Sequence, residues 1–307
     1  MGAGHDHAAS GGGDTQRTRL AIAFGITSTI LIAEIIGSVI TGSLSLLVDA
    51  AHMLTDAGGL FMALLAANLM RRPATSRRTW GFQRAEVLAA TAQAAVLLAV
   101  GLFALIEGLR RLVEPPAVPS AELLIFGIIG LLGNIASITV LTAGRSANMN
   151  MRAAFLEVVN DALGSVAVIA SAIIIMTTGW GQADALAGML ISVLIIPRTI
   201  SLLRETTGVL MESTPKGLDL DDVRRHILEL PHVSGVHDLH ASLVATGLPI
   251  LSAHVTVEES CFQDGHAPEI LDDLQRCVAE HFSISVEHST FQLEPARHTQ
   301  HEHHTHA

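Results

Sequence analysis

Two short segments place ionisable side chains at helical spacing inside apolar surroundings. His52 and Asp56 are four residues apart, and Asp49 lies three residues before His52. Glu157 and Asp161 are again four residues apart. Residues at i and i+4 lie on the same face of a helix, so each segment presents its polar groups together. Two such helices could surround one divalent cation with an imidazole and three carboxylates, ligand types that zinc accepts in a tetrahedral set.

A structural explanation competes with this one, because a buried His beside an Asp is often only a hydrogen-bonded pair. The second pair favours an ion, since three carboxylates with no Lys or Arg nearby in sequence carry a formal charge near −3. A buried cluster of that charge needs protons or a cation. For five other polar residues in apolar stretches a structural role is favoured: Glu34, Asn68, Glu107, Asn134 and Asp184.

The elements that carry these residues are membrane spans. Of 307 residues, 50% are hydrophobic and only 15% are charged, against about 25% charged in soluble domains. This composition excludes a purely soluble enzyme, a disordered protein and a disulfide scaffold. Six apolar stretches reach the roughly 20 residues that cross a bilayer: 20–40, 45–69, 86–112, 121–143, 153–177 and 183–206. Gly127, Gly130 and Gly133 in the fourth stretch predict close helix packing.

The arginines predict the orientation. Nine lie in segments on one side of the spans (Arg17, Arg19, Arg71, Arg72, Arg77, Arg78, Arg84, Arg145, Arg152) and two, Arg110 and Arg111, lie on the other. The positive-inside rule then predicts that both termini lie in the cytoplasm. We expect the protein to lie in the cell membrane (inner or plasma membrane). The net charge of −11 argues against a nucleic-acid partner.

The chain after the last span predicts a soluble domain. We expect a disordered His-containing tail at 1–19, a transmembrane domain at 20–206, a cytoplasmic domain at 207–295 and a disordered His-rich tail at 296–307. Apolar periodicities within the third region predict the order αββαβ, with helices at 219–230 and 268–282 and strands at 236–244, 250–257 and 284–293. This order suits a small α+β domain of the ferredoxin-like kind.

These residues carry a family resemblance. The run SLSLLVDAAHMLTDAGGL, then WGFQRAEVLAA, then the Glu157/Asp161 pair followed by ALGS resemble the cation diffusion facilitator family, most closely its zinc-exporting branch. VHDLHASLVATGLPILSAHVTVE and HSTFQLE are similar to segments of its soluble domain. The resemblance implies a homodimeric antiporter, not an enzyme, that moves zinc or related divalent metals out of the cytosol against protons.

Carried over by position, His52 and Asp56 match the second-span metal pair of the family, and Asp161 matches the Asp of the fifth-span pair. Glu157 stands where the zinc-type pattern has His, and a third carboxylate is a harder ligand that favours cobalt, iron or manganese. The resemblance also makes three residues candidates for a regulatory zinc site at the dimer contact: His237, His254 and Glu294. Four further residues are weaker candidates: His232, His240, Cys261 and His288.

The expected mechanism is exchange between metal and protons. Metal ligands must be deprotonated, so protons that arrive from outside release the metal. We expect the spans to alternate between cytoplasm-open and outside-open states, with His52 as the main proton exchanger and Asp49 as a proton relay. Two other classes remain open: a divalent-cation channel, and a membrane-anchored metal sensor that binds through its soluble domain.

Overall fold

Six long helices form the first part of the structure, a computed structural model that describes residues 10–70, 72–142 and 149–298. Within these ranges, the side chains at 10–20, 56, 59–68, 70 and 149–154 lie outside the description. The helices are α1 (Ser10–Thr41), α2 (Leu44–Met70), α3 (Ala85–Val113), α4 (Ser120–Thr142), α5 (Met149–Thr178) and α6 (Gln182–Leu210). Their ends match the six predicted spans to within four residues, except at the start of α1.

The start of α1 corrects one expectation. Residues 1–19 were expected to be a disordered tail, but the helix already begins at Ser10. Adding a residue to an existing helix costs less free energy than forming the first turn of a new helix. An apolar helix can therefore extend into a polar segment that would not form a helix alone. Residues 1–9 of the predicted tail lie outside the described residues, as do residues 299–307 of the C-terminal tail.

Five helices are long and apolar enough, among the described residues, to cross a membrane. These segments are Ala21–Thr41, Ala85–Val113, Ser120–Thr142, Phe155–Thr178 and Gln182–Leu210. The remaining helix, α2, contributes the apolar segment Leu44–Thr55 and runs for 27 residues in all. A helix of that length also exceeds the roughly 20 residues that a span needs. Large apolar side chains such as Ile106, Leu132 and Leu194 are exposed, as a lipid-facing surface requires.

Two compact units divide the chain: residues up to Met62 with Ala92–Leu203, and Ala63–Thr91 with the residues from Arg204 onward. In the first unit, α4 packs closely against α5 and α1 through glycines. A Cβ on Gly127 would lie 2.9 Å from a side-chain carbon of Ile169, and one on Gly133 would overlap Ile30. The prediction that these glycines permit close helix packing is therefore confirmed.

The second unit contains an α+β fold in the predicted order, with one short helix added. Its elements are α7 (Leu220–Leu228), β1 (Val233–Ala245), β2 (Leu248–Val257), α8 (Cys261–Asp264), α9 (Ala267–Glu280) and β3 (His288–Pro295). The sheet order is β1-β2-β3, in which β1 and β2 are antiparallel and β2 and β3 are parallel. A parallel pair cannot be joined by a tight turn, and α9 supplies the crossover.

This fold has its own hydrophobic core between the helices and the sheet. Asp219 caps α7, because its side chain accepts hydrogen bonds from the backbone N–H groups of Asp221 and Asp222. The fully buried core residues are Val223, Ile227, Val244, Val255, Leu274, Val278 and Val286. The αββαβ prediction is confirmed.

Candidate metal centres

The two polar helix segments meet inside the first unit. His52 on α2 and Asp161 on α5 are both buried, and His52 Nε2 lies 3.7 Å from Asp161 Oδ1. This separation is too long for a hydrogen bond. It is close to the roughly 3.4 Å that separates two ligand atoms bound tetrahedrally to one zinc ion at about 2.1 Å. The geometry therefore suits an ion between the two helices better than a direct contact.

Glu157 has a partner that its sequence neighbourhood does not contain. Its Oε2 accepts a hydrogen bond from Arg198 Nη2 of α6 at 2.8 Å. The sequence indicates no Lys or Arg near these carboxylates, but in the structure the guanidinium of Arg198 offsets part of their negative charge. The signal for this partner is an arginine after Pro197 inside an apolar helix.

Two oxygens remain available for an ion. Glu157 Oε1 and Asp161 Oδ1 are buried and have no hydrogen-bond partner within the described part of the chain. Buried polar atoms are nearly always paired, so such orphans need an explanation such as an ion or water. Asp56 lies one turn after His52 on α2, but its side chain lies outside the described residues.

A further acidic pair lies beside this centre. Asp49 of α2 and Glu34 of α1 are both buried, and they lie near enough to interact electrostatically with each other and with Asp161. Asp49 Oδ1 packs against Gly164 of α5, where a Cβ would collide with it. Two neighbouring buried carboxylates repel each other when both are charged, so the pair favours binding of a proton or a cation.

Asp184 sets the beginning of α2 and therefore the position of His52 two turns later. This buried carboxylate at the start of α6 accepts hydrogen bonds from the Leu44 backbone N–H at 2.6 Å and from the hydroxyl groups of Ser43 and Ser45 at 2.5 and 2.6 Å. Arg111 adds an ion pair at 3.9 Å. The expected structural role of Asp184 is that of a helix cap supplied by another helix.

A separate cluster lies on the sheet of the soluble fold. His237 on β1 and His254 on β2 are direct neighbours in the strand register, and Glu294 on β3 is adjacent. His237 Nε2 lies 2.6 Å from Glu294 Oε1, and His254 Nδ1 lies 3.7 Å from Glu294 Oε2. The three ligand atoms fall within 4.8 Å of one another. Two imidazoles and one buried carboxylate are a donor set that zinc accepts.

The four weaker sequence candidates are spread over this fold. His240 lies on β1 opposite Ser252. His288 begins β3 and contacts the edge of the Trp80 ring, with 4.8 Å between centroids. His232 and Cys261 come together with Glu258 just beyond the end of the sheet where β1 begins and β2 ends. Glu258 was not recognised from the sequence, since it lies one residue past the end of β2.

Together, the apolar helices, the approach of His52 on α2 to Asp161 on α5 and the α+β fold that follows α6 are typical of a multi-span membrane protein of the metal-transporting class. The chain matches the cation efflux transmembrane domain family over residues 20–211 and the cytoplasmic domain of cation efflux proteins over residues 215–296. It belongs to the cation efflux (cation diffusion facilitator) family, as predicted, and it is a metal-cation efflux transporter.

Relatives agree over nearly the full length. The metal cation efflux system protein CzcD of Cupriavidus metallidurans is 41% identical over 296 residues, which cover 96% of this chain and 91% of the relative. The zinc transporter ZitB of Escherichia coli is 37% identical over 92% of this chain and 88% of its own. A Bacillus subtilis protein described as a cadmium, cobalt and zinc/H(+)-K(+) antiporter is 35% identical over 91% and 89%.

Proposed function

We propose that this chain exports Zn²⁺ and the related cations Cd²⁺ and Co²⁺ from the cytoplasm in exchange for protons. The observation that carries the proposal is the 3.7 Å separation between His52 Nε2 and Asp161 Oδ1, together with the burial of Asp161 Oδ1 and Glu157 Oε1, which have no hydrogen-bond partner among the described residues. An ion at that point would bind atoms from both helices. It would also balance part of the negative charge of the buried carboxylates, which is otherwise costly to bury.

The metal ligands in this proposal are His52, Asp56, Glu157 and Asp161. Glu157 would bind through Oε1 while Oε2 stays with Arg198, so the arginine orients the carboxylate and reduces the negative charge of the site. Because each ligand binds metal only when deprotonated, protons compete directly with the ion. Imidazole ordinarily titrates near pH 6.5, which makes His52 the main exchanger.

Proton access is assigned to the neighbouring acidic pair. Asp49 lies one turn before His52 on α2, and Glu34 interacts with it from α1. Such a pair can hold a proton when the metal is bound and pass it to the site when the metal leaves. Alternating access completes the proposed transport cycle. The proposal places the protein in the cell membrane with both termini in the cytoplasm.

The soluble fold is assigned to dimerisation and regulation. Relatives of residues 215–296 are cytoplasmic domains of efflux proteins, which supports a homodimer held partly through this fold. His237, His254 and Glu294 would bind a regulatory zinc ion there. A sensor is less well supported, because it needs no ion site within the membrane spans. A channel differs from the proposed exporter in that it would carry metal without proton coupling.

Metal preference is a second candidate within the same class. A third carboxylate in place of an imidazole favours Co²⁺, Fe²⁺ or Mn²⁺ more than two imidazoles would. The Arg198 ion pair counters this, since it withdraws charge from Glu157. Competition of Zn²⁺ transport by Cd²⁺, Co²⁺, Mn²⁺ and Fe²⁺, repeated on Glu157→His, decides between the two preferences.

The deciding experiment measures Zn²⁺ uptake and proton release in everted vesicles. Asp161→Asn keeps the shape of the side chain and removes one ligand charge, so uptake should fall at least 100-fold, because even outer-shell partners of a metal contribute 10–100-fold. Glu122→Gln, at an exposed position of α4, is the matched control and should transport normally. Normal uptake by Asp161→Asn refutes the site, and uptake without proton movement favours a channel.

A further inference from the structure

Three side chains that can bind a metal ion lie together at the end of the sheet where β1 begins and β2 ends. His232 precedes β1 and Glu258 follows β2, and the antiparallel register pairs Val233 with Val257 at the same end. The backbone N–H of Glu258 donates to the carbonyl of His232 at 3.1 Å, and that of Cys261 donates to the carbonyl of Glu258 at 3.1 Å. The strand pairing and the turn into α8 therefore bring these residues together.

The donor atoms are close enough to bind one ion. His232 Nδ1 lies 3.1 Å from Glu258 Oε2, and these atoms and Cys261 Sγ all fall within 4.8 Å of one another. Cys261 is only 1% exposed, whereas the His232 and Glu258 side chains are 42% and 57% exposed. The thiol therefore forms the floor of the cluster, and the nitrogen and oxygen donors reach it from the solvent side.

The surroundings of His232 restrict its ring. Its backbone has φ of 64°, in the left-handed region that is unfavourable for residues other than glycine. The His266 ring stacks on it with 5.5 Å between centroids, and His266 Nδ1 lies 2.9 Å from Asp264 Oδ1. The contact with Asp264 holds the His266 ring in place, so the stacked ring limits the rotation of the His232 side chain.

A purely structural explanation accounts for these contacts only in part. Cys261 also packs in the hydrophobic core, as buried thiols commonly do. However, an exposed His–Glu ion pair contributes little to stability, so it does not by itself offset the unfavourable backbone conformation at His232. An ion bound by nitrogen, oxygen and sulfur would offset it.

We propose that His232, Glu258 and Cys261 form a second metal site in the soluble fold, which takes a thiophilic divalent cation such as Zn²⁺ or Cd²⁺. Sulfur, imidazole and carboxylate together match the ligands that zinc accepts, and the thiolate favours softer ions over Mn²⁺. The residues differ from those of the His237, His254 and Glu294 cluster. This proposal can therefore be tested independently of the proposed transport site at His52.

Cobalt absorption tests this site specifically. Full-length protein carrying His52→Ala, Asp161→Ala, His237→Ala and His254→Ala is titrated with Co²⁺ in detergent under reducing conditions. A thiolate-to-cobalt charge-transfer band in the near ultraviolet reports a bound cysteine, and histidines of the tails cannot produce it. The chain has only two cysteines, both buried, so Cys277→Ser is a matched control.

We expect the band in this background, its loss in Cys261→Ser, its retention in Cys277→Ser and its displacement by Cd²⁺. Glu258→Gln and His232→Asn alter exposed side chains, so they should fold normally and weaken Co²⁺ binding at least tenfold. They decide the question if Cys261→Ser does not fold. The proposal is overturned if excess Co²⁺ produces no band, or if the band depends on Cys277 or survives both exposed-residue substitutions at unchanged affinity.

Discussion

A methyl group at Gly164 should separate the two halves of the transport site. Gly164 lies three residues after Asp161 on α5, and its missing Cβ faces the carboxylate of Asp49 on α2, three residues before His52. In Gly164→Ala the new Cβ would overlap Asp49 Oδ1 and lie 3.1 Å from its Cγ. Because the site needs α2 and α5 close together, this substitution acts on metal binding without touching a ligand.

The size of the effect follows from the overlap. Ordinary contact between heavy atoms is about 3.5–4.0 Å, so the Asp49 oxygen must retreat by more than about 1 Å. Asp49 is fully enclosed, and overpacking of this kind costs about 1–3 kcal/mol. If half of that cost, about 0.5–1.5 kcal/mol, is expressed as a wider separation of His52 and Asp161, metal affinity falls about two- to twelvefold.

Metal affinity is measured in detergent by competition with a chelating dye, and thermal unfolding is measured on the same samples. Gly25→Ala is the control, because a Cβ there meets no atom within 4 Å. The double variant Gly164→Ala/Asp49→Ala removes the obstructing carboxylate and should restore most of the affinity. Wild-type affinity and unfolding temperature in Gly164→Ala would refute the proposed geometry.

Three further predictions concern single buried groups. Asp184→Ala leaves the Leu44 N–H and two serine hydroxyl groups without their acceptor. The free energy of unfolding should therefore fall by about 3 kcal/mol or more, measured as a lower Tm in detergent. Asp184→Asn should lower the Tm by less. Leu274→Ala opens a cavity in the fully buried core of the soluble fold and should cost about 2–5 kcal/mol in chemical denaturation; a loss below 1 kcal/mol would contradict the packing. Burial, with the charge of Glu229, raises the pKa of the Cys277 thiol above its ordinary value of 9.0. Alkylation of Cys277 in the folded protein should therefore need a higher pH than in a peptide, and a peptide-like alkylation profile would argue against the raised pKa. Because the folded state holds the thiol proton more tightly, the stabilisation from this group is present below pH 9 and is lost as pH rises.

Local spacing was enough to predict the parts of the site that lie on one helix. His52 and Asp56 share a face because four residues make about one turn, and the same holds for Glu157 and Asp161. The elements of the soluble fold were predictable for the same reason, since strand and helix periods differ. The four-residue helix α8 was missed because so short a segment has no period to detect.

Contacts between distant segments could not be predicted in this way. Arg198 is 41 residues from Glu157, and Asp184 is 140 residues from Leu44, yet each pair forms a short contact. Nothing in the spacing of either member indicates its partner. The same is true of Glu258, whose closeness to His232 depends on the antiparallel register of β1 and β2.

The amino-acid sequence by itself determined that this protein crosses a membrane and carries metal-ligand groups on two of its spans, because hydropathy and helical period act over a few neighbouring residues. Only the tertiary structure decided which charged groups meet: Arg198 pairs with Glu157, and His52 Nε2 lies 3.7 Å from Asp161 Oδ1. The physical reason is that a helix fixes the direction of its own side chains but not the identity of the helix packed against it.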